Sequence, residues 1–537
     1  MASYLKALSP IPSFPEYTGP HRVGTIDVEI PVSELDSPSP SPDESIRTVQ
    51  FRIFYPCESD AKPNATTSWL PSPQRDHVAA YTRFLGARSM LAEVISFFPR
   101  LLHYISIPVR KNAPLLQPTT PTDRWPVMVF SHGLGGFRNA YSHLAGSIAS
   151  HGVIVIAPEH RDGSAPLTLI RRVPTEAEST SEKSNTARGH RRIDYMRVSH
   201  TPSPEVEAAR NTQLKVRLWE LGCIHNALLK MDQTATFTNL NTSSIPLSLF
   251  SEKMAIHEPG SISWAGHSFG AATVAQFVKS VYYSPQNSTA PADYEPLFTP
   301  SSRSAIANQI TPNSPIILLD IWCLALRAAS TRWLWDKAMP CYSRDGPGGC
   351  GVLAIESQAF VKWRVHLKAT KRFLSPDPSS DGLSKAAAQD GRAPPHFYYA
   401  TASAHLSQSD FGILFPWVVK RVFQAEEPER VMRLNVRAIL QLLRERGLTV
   451  AATSAADMEL ESGDASTTAN DVRIFGQEKP VRGWHLLTTD VSDLDDVDFE
   501  QDSRVDTRAS PSEAVVAGEI LEGERPTSGG RAEVTTA

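Results

Sequence analysis

The sequence predicts an α/β fold in which a mostly parallel central sheet is covered by helices on both faces. Three features of the 537-residue chain support this prediction. Short apolar runs alternate with longer helical stretches between about residues 126 and 447. The runs are continuously apolar rather than alternating, which is typical of strands buried on both faces. One run also leads through a glycine-flanked turn directly into a helix.

The chain opens with strands of a different kind. Residues 1–17 are expected to form a flexible N-terminus. Residues 24–32 and 48–55 then alternate apolar and polar side chains, as half-buried strands do. A loop rich in Pro, Ser and Asp at residues 37–44 joins them. We therefore expect an antiparallel pair at one edge of a mixed sheet.

A strongly apolar segment with few charges occupies residues 90–107. One interpretation is a helix packed on the core of the domain. The other is a surface segment that enters a lipid interface. The residues alone leave both interpretations open.

The regular alternation of strands and helices begins at Pro126. Buried strands are expected at residues 127–130, 153–157, 261–264, 315–319, 351–355 and 397–401. Helices are expected at residues 139–150, 204–231, 272–282, 358–373 and 428–447. Strands that alternate with helices in this way build a parallel sheet.

Two insertions and a tail depart from this pattern. Residues 164–203 are rich in Ser, Thr and Arg and show no periodicity, and residues 284–314 are typical of a long loop. Residues 451–537 contain 19 acidic and 7 basic residues, so we expect a largely disordered acidic tail. Within it, residues 473–487 have enough apolar side chains to dock on the domain. One domain is thus expected over residues 18–447.

The turn between a strand and a helix carries the most specific motif. Gly266-His-Ser-Phe-Gly270 has the form G-x-S-x-G, with a strand before it and a helix after it. In that setting the motif is a nucleophile elbow, a strained turn that lifts the serine hydroxyl to the carboxyl end of the sheet. The helix that follows also directs its positive end towards developing negative charge. The sequence therefore predicts that Ser268 is a nucleophile.

A serine nucleophile needs a base, and the base needs an orienting acid. After this elbow the expected chain order is serine, acid, histidine. Asp320 ends an expected strand, although it could instead cap a following helix. His405 lies in a loop directly after a strand, whereas His366 falls within a helical stretch, His396 precedes a strand and His485 lies in the acidic tail. We therefore expect Asp320 to be the acid and His405 the base.

An oxyanion hole should use the backbone N–H of Phe269, which follows the serine. The loop at residues 132–135, His-Gly-Leu-Gly, should supply the second donor, and Leu134 is preferred. His132 precedes the serine, so a structural hydrogen-bonding role is expected for it. The cluster Glu-His-Arg-Asp at residues 159–162 is interpreted as a buried ion-pair network and not as a metal site. No metal and no cofactor are predicted.

The composition bears on compartment and on partners. A formal net charge of −4 gives no argument for nucleic-acid binding. The five cysteines are too scattered for a disulfide framework, and none has zinc-ligand spacing. The N-terminus lacks the pattern of a signal peptide, and no run approaches the ~18 apolar residues of a spanning helix. We expect a cytoplasmic protein that contacts membranes peripherally if residues 90–107 enter lipid. The oligomeric state is not indicated.

Several linked motifs resemble those of the platelet-activating factor acetylhydrolases of the plasma and intracellular type II group. The motifs are Phe130-Ser-His-Gly-Leu-Gly135, Ser150-His-Gly152, Glu159-His-Arg-Asp162, Gly266-His-Ser-Phe-Gly270, Leu319-Asp-Ile-Trp322, and Ser403-Ala-His405 with Asp410-Phe411. They follow in order from about residue 18 to residue 412, with weaker likeness to about residue 447.

This resemblance implies an α/β-hydrolase fold and a calcium-independent phospholipase A2 reaction. The implied reaction releases acetyl, or short or oxidised acyl chains, from the sn-2 position of glycerophospholipids. Carried over position by position, the resemblance makes Ser268 the nucleophile, Asp320 the orienting acid and His405 the base. It makes the amides of Leu134 and Phe269 the oxyanion donors, and it implies that the apolar segment at residues 90–107 sits on lipid.

The sequence departs from the family pattern in three places, which leaves its substrate range open. Ala271 stands where the family usually has glycine, the two insertions lie where they can reshape the mouth of the site, and the acidic tail has no counterpart. Two other functions stay possible. One is a general carboxylesterase acting on small esters, and the other is a non-catalytic hydrolase-like protein whose insertions and tail bind partners.

Overall fold

A sheet with eleven strands among the described residues runs through the centre of the fold. The computed structural model describes residues 11–59, 66–85, 100–171, 173, 190–199, 203–233, 238–379, 392–459, 470–476 and 481–494. Within these residues the strands are β1 (Arg22–Pro31), β2 (Thr48–Cys57), β3 (Thr67–Ser68), β4 (Ser106–Ile107), β5 (Arg110–Lys111), β6 (Trp125–Ser131), β7 (Ile154–Glu159), β8 (Leu167–Arg171), β9 (His190–Asp194), β10 (Met254–Ala255), β11 (Ile262–His267), β12 (Ile316–Leu319), β13 (Val352–Ser357), β14 (His396–Ala400) and β15 (Trp484–Leu486).

Helices cover both faces of this sheet. In chain order, those within the described residues are α1 (Gln74–Phe84), α2 (Arg100–His103), α3 (Ser142–Ser150), α4 (Pro204–Asp232), α5 (Phe269–Tyr283), α6 (Ile306–Gln309), α7 (Arg332–Trp335), α8 (Gln358–Lys362), α9 (Arg364–Leu374), α10 (Asp410–Leu414), α11 (Pro416–Phe423) and α12 (Pro428–Glu445).

The centre of the sheet is parallel, as predicted. The strands β7, β6, β11, β12, β13 and β14 are neighbours in that order and all run in the same direction. The pair β1 and β2 is antiparallel and joins this centre through β2 and β7, which confirms the edge expected from the first two strands. Parallel strands bring their carboxyl ends to the same edge, where the loops after β6, β11, β12 and β14 meet.

Two apolar cores lie on opposite faces of the sheet. Within β6, Val127 and Val129 belong to one core, and Met128 and Phe130 belong to the other. The first core packs against α4 and α5, and the second against α3 and α12. Burial of both faces explains why the strands are continuously apolar in the sequence.

Three helices differ from their predicted extents, and one of them, α5, begins at Phe269 and not at residue 272. The helix predicted over residues 358–373 is in fact two helices, α8 and α9, because the backbone of Trp363 leaves the helical region with φ −80° and ψ 83°. The helix predicted from residue 139 begins at Ser142. There the carboxylate of Asp410 accepts hydrogen bonds from the amides of Ser142 and His143, so a distant residue caps the helix.

The first insertion contains regular structure that its composition did not indicate. Its described residues include an antiparallel hairpin of β8 and β9. The second insertion, residues 284–314, is mostly irregular as predicted, apart from the short 3-10 helix Ser284–Thr289 and α6.

Part of the tail folds onto the domain. β15 pairs with β14 and extends the sheet, which confirms the docking expected for residues 473–487. Asp471 forms a buried ion pair with Arg437 of α12 at 2.6 Å. The described residues 451–459 are also packed, with Thr453 and Asp457 buried. Most of the predicted disordered tail lies outside the described residues.

The apolar segment at residues 90–107 lies only partly within the described residues. Its described end consists of α2 and of β4, which pairs with β3, so a helix that continues to residue 107 is wrong. Residues 86–99 lie outside the described part. Among the described residues, no helix is both long enough and apolar enough to cross a membrane.

Candidate active site

Ser268 occupies a strained turn between β11 and α5. Its backbone has φ 58° and ψ −122°, a conformation that costs a non-glycine residue about 1–3 kcal/mol. The flanking glycines permit the turn, because a Cβ at Gly270 would lie 2.0 Å from the carbonyl oxygen of Ser131 and one at Gly266 would lie 2.4 Å from the carbonyl of Gly270. The turn thus has the geometry of the predicted nucleophile elbow.

Asp320 and His405 meet at the same edge of the sheet. His405 Nδ1 lies 2.9 Å from Asp320 Oδ2, and both residues are buried. The other oxygen of Asp320 accepts the backbone N–H of Ser357 at 2.5 Å. The His405 ring stacks on Phe360, with 4.7 Å between centroids. These contacts fix the carboxylate and the plane of the imidazole, and the bond to Nδ1 leaves Nε2 for a second partner.

The backbone ties the serine turn to the acid. The amide of Ser268 donates to Leu319 O at 2.9 Å, and the amide of Trp322 donates to Ser268 O at 3.3 Å. The His267 ring lies 4.2 Å from that of His405. The three residues predicted as a triad are therefore brought together at the carboxyl ends of β11, β12 and β14.

The other histidines that follow Asp320 in the chain have contacts or positions away from the serine. Asp320 does not cap the following 3-10 turn Cys323–Leu326, which has no side-chain cap. His366 Nε2 instead accepts the N–H of Cys323 at 3.1 Å, a structural contact. His396 and His485 lie away from the serine, at the start of β14 and on the edge strand β15.

The two predicted oxyanion donors lie close to the serine in the chain or in space. A Cβ at Gly133 would lie 2.9 Å from that of Ser268, so the loop after β6 lies directly against the nucleophile. In that loop the amide of Gly133 donates to the Tyr141 hydroxyl and the amide of Gly135 donates to Ser164 O. Within the described part of the chain the Leu134 amide has no acceptor.

The second predicted donor, the amide of Phe269, lies at the start of a helix. Phe269 is the first residue of α5, where N–H groups have no acceptor within the helix. The amides of Leu134 and Phe269 are therefore both free to bind an oxyanion.

Sequence reasoning missed Arg217, which organises this loop from α4. Its guanidinium is fully buried, donates to His132 O at 2.8 Å and to Asp162 Oδ2 at 2.6 Å, and lies 4.6 Å from the Phe269 ring. A charged residue on an apolar helix face is the signal that could have revealed it, since the buried Leu214 and Leu221 share its face.

Tyr141 was also missed. Its hydroxyl contacts the amide of Gly133 and lies 2.8 Å from His267 Nδ1. It therefore links the oxyanion loop to the serine turn, and nothing in its local sequence indicates this contact.

The cluster at residues 159–162 is an ion-pair and hydrogen-bond network, as predicted. Glu159 pairs with Arg138 at 2.8 Å, and His160 Nδ1 lies 2.8 Å from Glu220. Burial and the Arg217 charge hold the pKa of His160 well below its usual range, and burial raises the pKa of Glu220 to about 8. These groups shape the end of β7 beneath the site.

His132 has the structural role predicted for it. Its Nδ1 bonds to Gly133 O at 2.9 Å, and its Nε2 accepts the amide of His160 at 3.3 Å. Burial lowers the pKa of His132 to about 3, so the ring stays neutral.

One group of potential ligand atoms exists at the site among the described residues. Single atoms of His267, Asp320 and His405 lie within 4.8 Å of one another. However, His405 Nδ1 already bonds to Asp320, and His267 Nδ1 already bonds to Tyr141. The contacts are those expected of a hydrogen-bonded acid and base beside a serine.

Comparison with known proteins gives a consistent result. The family model described as platelet-activating factor acetylhydrolase, isoform II, matches residues 7–329, which is more than half of the chain and includes Ser268 and Asp320. A protein of Schizosaccharomyces pombe named "Putative phospholipase A2" is 30% identical over 451 residues, covering 80% of this chain and 91% of that protein.

Animal relatives align over a smaller share of their length. The platelet-activating factor acetylhydrolase of Canis lupus familiaris is 30% identical over 42% of this chain and 46% of its own, and that of Cavia porcellus is 30% identical over 49% and 52%. A solved ferulic acid esterase from Streptomyces cinnamoneus aligns over 83% of this chain and 98% of its own, with 13% identity and a TM-score of 0.40, values too low to support an inference.

The fold and the sequence relationship lead to the same assignment. A mostly parallel sheet with helices on both faces and a serine elbow between a central strand and its helix is the α/β-hydrolase fold. A family match over most of the chain, with a relative at 30% identity along nearly its full length, shows kinship beyond the fold. The chain belongs to the platelet-activating factor acetylhydrolase family, isoform II, and is an ester hydrolase.

Proposed function

We propose that this protein is a serine esterase that cleaves the sn-2 ester of glycerophospholipids carrying acetyl, short or oxidised acyl chains. One observation carries the proposal: a strained serine turn lies beside a buried histidine whose Nδ1 is bonded to a carboxylate 2.9 Å away. That arrangement leaves His405 Nε2 to act as a general base towards Ser268.

The reaction follows from these positions. Ser268 Oγ attacks the ester carbonyl while His405 Nε2 takes its proton, and Asp320 stabilises the imidazolium. The amides of Leu134 and Phe269 stabilise the negative oxygen of the tetrahedral intermediate. His405 then protonates the departing lysophospholipid oxygen. Water, deprotonated by His405, releases the acid from the acyl-enzyme.

Membership of the family supports the choice of substrate and the absence of a calcium requirement. The relatives are named for acetyl hydrolysis or for phospholipase A2 activity, and each step above uses groups of this chain alone. We therefore expect hydrolysis to persist when calcium is chelated.

An exposed apolar helix supports contact with a lipid surface. Trp417, Val418 and Val422 of α11 are 74%, 41% and 40% exposed. The opposite side of α11, including Val419, packs on Ala404 beside the His405 loop. Exposed aromatic and aliphatic side chains flanked by basic residues are typical of interfacial helices, and Lys420 and Arg421 provide the charges. The helix would hold the site against the lipid that it hydrolyses.

The test compares wild type with Ser268→Ala, with calcium chelated, on phosphatidylcholines bearing sn-2 acetyl or long acyl chains. Released acid is measured, and Ser280→Ala, a buried serine later in α5, serves as the matched control. We expect the wild type and Ser280→Ala to release acetate, and Ser268→Ala to lose at least ~10³-fold in rate.

The other outcomes would replace the proposal. Hydrolysis of an aryl acetate with neither lipid cut would favour a general carboxylesterase. No hydrolysis of any of the three would favour a hydrolase-like binding protein. Loss of activity on chelation, restored by calcium, would overturn the calcium-independent reaction.

A further inference from the structure

A second buried arginine of α4 lies beside the nucleophile. Arg210 precedes Arg217 by about two turns of the helix and is 2% exposed. The central carbon of its guanidinium lies 5.0 Å from the centre of the Trp322 ring and 5.8 Å from the centre of the Phe269 ring. Because Phe269 follows Ser268 and carries one of the two oxyanion donors, the charge of Arg210 packs against a residue of the oxyanion hole.

The hydrogen-bond partners of Arg210 are neutral. One terminal nitrogen donates to Gln213 Oε1 at 2.8 Å, and the other donates to Val198 O at 3.1 Å. The Nε atom is buried and has no hydrogen-bond partner within the described residues. No carboxylate in that part of the chain lies within ion-pair distance of this guanidinium. By contrast, Arg217 is paired with Asp162 at 2.6 Å.

A buried cation without an anion is costly for a fold to hold, so its position calls for a reason. Burial lowers the pKa of Arg210, while Tyr195 and Asp162 raise it and the charge of Arg217 lowers it. An arginine side chain nevertheless stays charged in proteins. The free enzyme therefore holds an unpaired positive charge behind the serine turn, and a negative charge that develops nearby would compensate it.

The other basic groups around the nucleophile do not supply such a charge. Burial lowers the pKa of His132 to about 3 and holds the pKa values of His160 and His267 well below their usual range, so the three rings stay neutral. The charge of Arg217 is balanced by its ion pair. Among these groups, Arg210 is therefore the source of unpaired positive charge.

We propose that Arg210, through this unpaired charge, stabilises the negative oxygen of the tetrahedral intermediate from behind the oxyanion hole. The inference rests on the mechanism proposed for Ser268. When the ester carbonyl becomes a tetrahedral alkoxide, negative charge appears beside the amide of Phe269. A fixed cation in a dry, low-dielectric setting favours that charge and needs no reorganisation during the reaction. Because the ester carbonyl of the bound substrate is neutral, the charge should affect turnover more than binding.

The test measures kcat and KM of the full chain on a phosphatidylcholine with an sn-2 acetyl chain and on an aryl acetate. Arg210→Gln removes the charge, and Arg210→Lys keeps it. Gln213→Glu keeps the guanidinium and its packing but places a carboxylate at the acceptor 2.8 Å away, which neutralises the charge. Lys215→Gln removes a charge at a half-buried position of the same helix and is the matched control. Thermal unfolding of each variant reports whether the domain has folded.

We expect kcat to fall at least ~10-fold in Arg210→Gln and to fall in Gln213→Glu, with KM changed less than about threefold on either ester. Arg210→Lys should keep most of the activity, and Lys215→Gln should keep all of it. Inhibition by a trifluoromethyl ketone, whose adduct with the serine carries the same oxyanion, should weaken in proportion to kcat/KM. A merely structural arginine would leave Gln213→Glu active, because that variant retains the packing.

Three results would overturn the proposal. The first is an unchanged kcat in a folded Arg210→Gln protein. The second is full activity of Gln213→Glu, which decides the question alone if Arg210→Gln does not fold. The third is a loss confined to the phospholipid, which would mean that Arg210 binds the phosphodiester of the substrate instead. Hydrolysis of neither ester by the wild type would contradict the function proposed for Ser268, on which this role depends.

Discussion

At the scale of single residues, the site stores strain where the chemistry takes place. Ser268 and Asp320 both have positive φ, at 58° and 40°. Each conformation costs on the order of 1–3 kcal/mol, and the surrounding hydrogen bonds of the turn and of Ser357 hold it in place. The backbone thus presents the hydroxyl and the carboxylate in fixed directions before substrate arrives.

A second acid lies beside this carboxylate. Glu356 is 1% exposed and sits at the end of β13, next to β12 and Asp320. Burial, and then the charge of Asp320, raise the pKa of Glu356 well above its usual range. Burial and the neighbouring charge of Asp320 therefore favour the protonated form of Glu356 in the folded protein, which limits the negative charge at the base of the site.

Glu356→Gln is expected to retain activity and to change how stability depends on pH. The folded protein binds the Glu356 proton more tightly than the unfolded chain does. Its contribution is therefore fully present below the unfolded pKa of about 4.5 and is lost as pH rises towards the folded pKa. Urea unfolding at several pH values should show the variant gaining stability relative to wild type above pH 4.5.

The exposed Glu258→Gln should show no such gain and serves as the control. A difference between Glu356→Gln and wild type that stays constant between pH 4.5 and 9 would contradict a protonated Glu356.

At the scale of elements, α4 acts as a support for the oxyanion loop. Arg217 reaches from this helix to His132 O, to Asp162 and to the hydroxyl of Ser164. It therefore joins the loop after β6 to the loop after β7. Because the guanidinium is fully buried, its bonds also satisfy the charge of Asp162.

Arg217→Met is expected to lower both stability and turnover. Loss of the guanidinium leaves Asp162 as a buried unpaired charge, which costs about 3–5 kcal/mol of unfolding free energy. The loosened loop should also lower kcat at least tenfold with a smaller change in KM. Urea unfolding and steady-state kinetics measure the two effects. Lys215→Met, two residues earlier on the same helix, should change neither, and equal kcat in both variants would contradict this role for α4.

Elements that a local sequence pattern marks could be predicted. Elements whose limits depend on residues distant in the chain could not. The strands were predicted because burial on both faces makes each of them apolar along its length. The start predicted for α3, about residue 139, was wrong. The helix begins at Ser142, where Asp410, which is distant in the sequence, caps it. The break at Trp363 was missed because neither a proline nor a glycine marks it. The hairpin of β8 and β9 was missed because residues 164–203 show no periodicity over their length.

The same distinction applies to the site. Asp320 and His405 could be placed because each follows a strand, and the sheet fixes where strand ends meet. The supporting contacts of Arg217 and Tyr141 depend on how helices pack over the sheet, which the sequence does not encode locally.

At the scale of the whole molecule, residues beyond the predicted domain of 18–447 add a strand to the central sheet. β15 covers the edge of β14, and Trp484 is buried there with its Nε1 donating to Ile474 O at 2.9 Å. Asp471 neutralises Arg437, and Phe475 stacks on His396. The acidic tail therefore begins with a segment that belongs to the fold.

Two truncations are expected to show that only the first part of the tail contributes to the stability of the fold. Removal of residues 460–537 leaves Arg437 buried without its partner and opens the edge of β14, so the midpoint of thermal unfolding should fall. The loss of the ion pair alone is worth about 3–5 kcal/mol. Removal of residues 495–537, which the sequence predicts to be disordered, should leave the midpoint unchanged. Equal midpoints for both truncations would contradict a structural role for residues 470–494.

The central claim is that Ser268 is the nucleophile of an ester hydrolase, and covalent labelling tests it most directly. The full chain is treated with a fluorophosphonate at neutral pH, and the modified peptide is identified by mass spectrometry. We expect one adduct, on Ser268, with loss of hydrolysis in proportion to labelling, and much slower labelling of His405→Ala. An adduct on another residue with hydrolysis lost, or full hydrolysis by a protein labelled at Ser268, would contradict the account.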